Sequence, residues 1–186
     1  QPSARADERT PAEYGVRRGE YLLLTAHRAG NVDDADRLRA LVELIAALPA
    51  PVVLPLHPRT RARLRESGLA GELEAIDGLR MTEPLGYVAF SALLCQSRAV
   101  LTDSGGVQKE AYLAGVPCVT LRANTEWVET VAAGWNTLVD LDARAALAAL
   151  ATQPPGERPA LYGDGRAAER CVAAIDALRG AGGDAA

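Results

Sequence analysis

The sequence predicts an α/β fold, a doubly wound parallel sheet of the Rossmann-like kind. Short apolar runs alternate with stretches of helical periodicity along most of the 186 residues. Those runs are apolar almost throughout rather than at every second position, as expected of strands buried on both faces, and the alternation is what successive β-α-β units produce. With 48% hydrophobic but only 4% aromatic residues, the core must be packed from Leu, Val and Ala.

Each element follows from its local pattern. Residues 1–19 are polar and punctuated by Pro and Gly, and read as a linker with a short helix. YLLLTA at 21–26 is the first strand. Leu38, Leu41, Leu44, Ile45 and Leu48 then fall at helical spacing, with Asp33 or Asp34 as N-cap. PVVLPL at 51–56 is the second strand, followed by a short helix in RTRARLRES, and LRMTEP at 79–84 is a weaker third. GYVAFSALLCQS at 86–97 is helical, AVLT at 99–102 a strand, and GVQKEAYLAG a helix ended by Gly115. PCVTL at 117–121, a helix near 126–133 and NTLVDL at 136–141 continue the alternation. Two Ala-rich helices, near 142–151 and 164–179, close the chain before a tail expected to be disordered.

Composition excludes several classes of function. A formal charge of −4 is no footprint for nucleic acid, so an anionic ligand needs a local site. No apolar run approaches the roughly 20 residues that span a bilayer, and a cytoplasmic protein is the expectation. Cys95, Cys118 and Cys171 form no CxxC pair and read as reduced core thiols.

The informative stretch is LTDSGGVQKEAYLAGVP at 101–117. DSGG, read with TAHR at 25–28, has the look of a serine protease, but strands separated by helices do not build two antiparallel barrels. In an open α/β sheet, ligands sit outside the carboxyl ends of the strands. There the first turn of a helix offers backbone N–H groups without internal partners and a partial positive charge. Ser104 is placed to cap that turn, and Gly105 and Gly106 lack the Cβ that would keep a phosphate from the backbone. A diphosphate is the natural occupant; an ordinary Ser-capped helix with glycines for packing is the alternative. One turn on, Glu110 is placed to accept hydrogen bonds from ribose hydroxyls.

His27 follows the first strand and His57 the second, trailed by Arg28 and Arg59, so two rings and two guanidiniums should converge on the same edge. No third ligand stands at a spacing suited to zinc, and neither a metal nor a cofactor is expected. Phe90, the only phenylalanine, reads on its own as core. GDGRAA at 163–168 imitates a dinucleotide fingerprint, but no strong strand precedes it, and Asp164 reads as N-cap of the last helix.

In order, LLLTAHRAGNVDD, LPLHPRT, EPLGYVAF, LTDSGGVQKEAYLAGVPCVTLR, TEWVETVAAGWN and YGDGRAAER resemble the C-terminal half of the non-hydrolysing UDP-N-acetylglucosamine 2-epimerases, over about residues 10–180. The resemblance implies the C-terminal half of a GT-B fold, two Rossmann-like domains with a nucleotide sugar between them. Residues 1–19 would be the interdomain linker, 20–180 the UDP-binding domain and 181–186 the tail. His27 would contact the nucleotide and assist departure of the leaving group. Phe90 would pack on uracil beside the Leu85 backbone. Ser104, Gly105 and Gly106 would take the diphosphate, and Glu110 the ribose. Arg28 and His57 match positions that bind a second, regulatory UDP-GlcNAc in allosteric bacterial members.

TEWVE stands where familiar members read TERPE, so Trp127 replaces an arginine near the diphosphate and Arg122 or Arg28 is expected to supply the charge. The TEWVE form is similar to relatives acting on other UDP-2-acetamido sugars, including 2,3-diacetamido uronates. The resemblance implies inversion at C2 by loss of the C2 proton and elimination of UDP, then re-addition of both. The carboxylates proposed for those proton transfers come from the N-terminal Rossmann-like domain. That domain is expected to lie outside this chain, which begins at Gln1, and the isolated piece is expected to be inactive. A homodimer is a further expectation. A GT-B glycosyltransferase or a hydrolysing epimerase using the same cradle is the alternative.

Overall fold

Six parallel strands form one sheet in the order β3-β2-β1-β4-β5-β6. They are β1 (Leu22–Thr25), β2 (Val52–Pro55), β3 (Leu79–Thr82), β4 (Ala99–Thr102), β5 (Cys118–Thr120) and β6 (Asn136–Leu138). The structure, a computed structural model, describes residues 10–181. Every apolar run marked in the sequence contains one of these strands.

The helices are α1 (Thr10–Glu13), α2 (Ala29–Val32), α3 (Ala35–Ala47), α4 (Pro58–Glu66), α5 (Ala70–Glu74), α6 (Tyr87–Gln96), α7 (Gly105–Ala114), α8 (Val128–Ala132), α9 (Ala143–Ala151) and α10 (Ala167–Ala181). Local chemistry sets their ends. Asp34, rather than Asp33, caps α3 by accepting from the N–H groups of Asp36 and Arg37. Pro58 opens α4, where a missing N–H costs nothing. Gly115, at φ +72°, stops α7 in the left-handed conformation. The sequence reading missed α2 and α5, which are too short for a 3.6-residue period to register.

The pleat divides the core between two faces. Leu22, Leu24, Val52, Leu54, Ala99, Leu101 and Val119 point to one side, where Leu38, Leu41, Leu44 and Ile45 of α3 and Ala146 and Leu150 of α9 cover them. Tyr21, Leu23, Val53, Val100 and Cys118 point to the other, against Leu93 and Leu94 of α6 and Ala111 and Ala114 of α7. Both faces are therefore sealed, which is why β1 and β4 tolerate no polar residue before their final threonines. Full burial of each Leu or Val contributes about 1.5–3 kcal/mol.

The described residues divide into two compact units, one ending at Gly156 and the other beginning at Glu157. That boundary falls within the stretch 20–180 drawn from the sequence as one domain. In the first unit, Thr10, Pro11 and Val16 are buried, and the Gly19 N–H donates to Gln96 O at 2.8 Å, so the described part of the expected linker packs against α6. Residues 1–9 lie outside the described range, as do 182–186 of the expected tail. In the second unit, Asp164 accepts from the Arg166 N–H at 3.1 Å, forming a turn before α10 rather than its N-cap. Cys171 is exposed on α10, which corrects its reading as a core thiol; Cys118 is buried and Cys95 half-buried.

Candidate functional site

Chain direction across the sheet reverses between β1 and β4. Adjacent strands leave that point toward opposite edges, opening a crevice at their carboxyl ends where α/β sheets bind ligands. Thr25 and Thr102 are in register there, their hydroxyl oxygens 2.7 Å apart. β1 runs on into His27 and Arg28, and β4 into Asp103 and Ser104.

Asp103 is completely buried and ties the two strand ends together. Its Oδ2 accepts from the backbone N–H of His27 at 2.9 Å, that of Arg28 at 2.8 Å and the Asn31 side-chain amide at 3.3 Å. Asn31 in turn donates to Leu121 O at 2.8 Å and accepts from Arg37, which is itself paired with Asp140. The His27 and DSGG segments thus meet as expected, but the partner of His27 is Asp103, not Ser104. His27 Nδ1 lies 3.4 Å from Asp103 Oδ1.

Ser104 occupies the N-cap position of α7 with an extended backbone, yet its side chain makes no capping hydrogen bond. This corrects the capping role assigned to it. The first helical bond runs from the Gln108 N–H to Ser104 O at 3.1 Å, so helix geometry leaves the N–H groups of Gly105, Gly106 and Val107 without intrahelical acceptors. Gly106 is exposed, and an added Cβ there would meet only Ser104 Oγ, at 3.9 Å. The two glycines differ: a Cβ on Gly105 would come within 3.2 Å of Glu126 Oε2 and 3.5 Å of Trp127 Nε1. Gly106 keeps the backbone accessible, whereas Gly105 makes room for the 126–127 loop.

That loop brings Glu126, which the sequence reading passed over, to the mouth of α7. Arg122 donates to both oxygens of the Glu126 carboxylate, and Arg28 Nη2 lies 3.6 Å from it. The hydrogen bonds from Arg122 hold the Glu126 carboxyl down to about 2. Both arginines expected to supply positive charge are therefore at the edge, already paired with an internal anion. Trp127 donates from Nε1 to Gly105 O at 2.7 Å, and Lys109 Nζ stands 4.6 Å above its ring. Buried polar side chains anchor the loop. Gln108 Oε1 accepts from Thr125 and Asn136, while Asn136 also donates to Thr130 and accepts from Thr120.

The rings of His27 and His57 stack with centroids 5.3 Å apart and planes inclined by 29°. His57 Nδ1 accepts from the Arg59 N–H at 3.1 Å, fixing the ring over the start of α4. The Arg59 side chain does not join the crevice edge as expected; with Arg63 it pairs with Asp33. Leu85 and Phe90 are half-buried and pack against the core cluster that also receives Val107, from the first turn of α7. Glu110 is half-buried one turn further along, and burial raises its carboxyl above the usual range. Among the described residues, no group of three His, Cys, Asp or Glu side chains is arranged to hold a metal ion. No described helix is long and apolar enough to cross a membrane.

The residues missed in the sequence, Asp103, Asn31, Gln108 and Glu126, act through contacts 17 or more positions away or through a loop without periodicity. Only Asp103 left a signal, as an acid immediately after a fully apolar strand. A cavity of about 390 Å³ between α4, α5 and β3 is lined by Leu56, Arg61, Leu64, Leu73 and Met81 and contains none of the candidate residues.

The sequence profile described as UDP-N-acetylglucosamine 2-epimerase matches residues 2–176. A UDP-N-acetylglucosamine 2-epimerase homolog of Methanococcus maripaludis is 44% identical over 127 residues, covering 68% of this chain and 36% of the relative. The UDP-2,3-diacetamido-2,3-dideoxy-D-glucuronate 2-epimerase of Pseudomonas aeruginosa is 46% identical over 159 residues, covering 81% of this chain and 42% of the relative. Among solved structures, UDP-GlcNAc 2-epimerase of Methanocaldococcus jannaschii in complex with UDP-GlcNAc and UDP is similar with a TM-score of 0.79. It is 37% identical, with 93% of this chain and 49% of that one covered. The chain thus spans half or less of the length of these relatives, and it belongs to the UDP-N-acetylglucosamine 2-epimerase family.

Proposed function

We propose that this chain is the UDP-binding half of an enzyme that inverts C2 of a UDP-2-acetamido sugar, with UDP-N-acetylglucosamine as the first candidate. The observation that carries this reading is the switch-point edge, where α7 opens on an exposed Gly106 beside His27, Arg28 and Arg122. The N–H groups of the first turn, which have no intrahelical acceptor, would grip the diphosphate through charge-assisted hydrogen bonds, and the guanidiniums would neutralise it. Glu110 would accept from the ribose hydroxyls. Leu85 and Phe90 would flank the base, on the side of α7 where they already pack.

In this reading the chain forms one wall of a cleft, and the N-terminal half of a GT-B architecture forms the other. Removing the C2 proton would fall to that other half. This half would bind and polarise the departing UDP, the electrostatic share of catalysis, with His27 as the group to carry a proton at the leaving diphosphate. A cytoplasmic enzyme supplying a sugar for cell-envelope polysaccharide, working as a homodimer, fits such a substrate.

The 46% identity to a 2,3-diacetamido uronate epimerase supports a second reading of the sugar alone, with the nucleotide cradle unchanged. The complete polypeptide, carrying both halves, tests the activity in deuterated water. Interconversion of the C2 epimers with solvent deuterium incorporated at C2 is expected. Transfer of the sugar to an acceptor without exchange would replace the proposal with a glycosyltransferase. Running UDP-GlcNAc beside the diacetamido uronate ranks the two sugars.

A further inference from the structure

Asp103 has two oxygens with unequal partners. Three donors converge on Oδ2, whereas Oδ1 is buried and, among the described residues, has no hydrogen-bond partner. Leaving a buried acceptor unmade is costly, so a donor brought to Oδ1 is strongly selected. His27 Nδ1 faces it at 3.4 Å, somewhat longer than a formed N–H···O bond of about 2.7–3.2 Å, and a small rotation of the half-exposed ring closes the gap. The pair is already constrained from the backbone side, because the same carboxylate holds the His27 N–H.

The stacked neighbour is held in the opposite sense. His57 Nδ1 accepts from a backbone N–H, and a nitrogen that accepts carries no proton. In its neutral form His57 must therefore keep its proton on Nε2. Neutral imidazole has one donor and one acceptor nitrogen, and the bond made at one fixes the character of the other.

We propose that Asp103 is the positioning residue of this site. Its free oxygen holds His27 in the Nδ1–H tautomer, so that Nε2 is the ring atom presented to a ligand, while the Arg59 N–H holds the stacked His57 in the Nε2–H tautomer. The edge of the crevice then presents an acceptor and a donor side by side. Nε2 of His27 can accept from a hydroxyl or N–H of the nucleotide while the ring is neutral, and can hand a proton to a phosphate oxygen when the ring is charged. A hydroxyl in place of Asp103 could not hold both the backbone and the ring. The use made of Nε2 rests on the proposed UDP binding; the tautomers themselves do not.

The test is a long-range proton–nitrogen correlation spectrum of the nitrogen-15-labelled chain, without ligand, at a pH about two units above the ordinary imidazole value of about 6.5. With only two histidines in the sequence, one His57→Gln spectrum assigns both rings. His27 is expected to show a protonated Nδ1 and a bare Nε2, and His57 the reverse. In Asp103→Asn the amide oxygen keeps the three donors of Oδ2, and its NH₂ turns to the ring, so the His27 pattern should invert to Nε2–H. A bare Nδ1 on His27 in the unsubstituted protein overturns the proposal, as does an unchanged pattern in a folded Asp103→Asn. If that variant does not fold, the unsubstituted spectrum decides by itself. Because no nucleotide is present, a failure to bind UDP would sink the functional reading and leave this result standing.

Discussion

Arg122 donates two hydrogen bonds of 3.0 Å to the Glu126 carboxylate, and the pair lies against Gly105 at the mouth of α7. An internal carboxylate thus sits beside the helix end proposed to hold the diphosphate, engaging the two guanidiniums that a diphosphate would recruit. An incoming anion has to share or displace it.

Replacing Glu126 with Gln removes that competing charge while keeping a hydrogen-bonding group of the same shape. UDP should bind about threefold tighter by calorimetry at low salt, the scale of an exposed ion pair, and the gain should shrink as salt rises. Weaker binding would mean instead that Glu126 organises the arginines for the ligand.

The same carboxyl gives a pH signature. Its folded value is lowered from the usual 4.5 to about 2, chiefly by Arg122, so its stabilising contribution is present above 4.5 and lost as pH falls toward 2. In urea unfolding, Glu126→Gln should be less stable than the unsubstituted protein at pH 6, and the gap should narrow between pH 4.5 and about 2. A gap independent of pH would contradict the assignment.

Glu110 should behave in the opposite way. Burial raises its carboxyl above 4.5, so the ionised form, which in the proposed reading would accept from ribose hydroxyls, is lost earlier on acidification. UDP affinity should fall as pH drops toward that raised value, and Glu110→Gln should flatten this part of the profile. Glu110→Ala should weaken UDP binding by about 1–3 kcal/mol, the range for a charge-assisted hydrogen bond. Unchanged affinity in calorimetry would remove Glu110 from the site.

The thiols give a check on the fold alone. Burial pushes the Cys118 thiol up to about 12, while Cys171 is exposed. A thiol reagent at pH 8 should modify Cys171 in the folded protein and reach Cys118 only in denaturant. Modification of Cys118 without unfolding would contradict the packing of β5.

Much of this architecture is legible in the sequence because burial on two faces leaves an unmistakable mark. YLLLTA and AVLT can be nothing but interior strands once helices flank them, and the order of apolar runs places DSGG and TAHR at strand ends. The adjacency of those ends is a property of sheet order, and only the structure shows β1 beside β4. Ser104 illustrates a limit. Its residue type and position suit a cap, but Thr102 Oγ1 receives the Ser104 N–H at 2.9 Å and the Ser104 hydroxyl makes no cap. Glu126 and Arg59 illustrate another, since the direction of a long charged side chain depends on partners brought close by folding, and Asp33 lies 26 positions before Arg59.

The central claim is that the first turn of α7 grips a diphosphate. Titration of the chain with UDP, followed by amide chemical shifts, tests it most directly. Saturable shifts in the N–H signals of Gly105, Gly106 and Val107 that uridine alone does not produce are the predicted result. Shifts confined to other segments, or none at saturating UDP, would contradict the account.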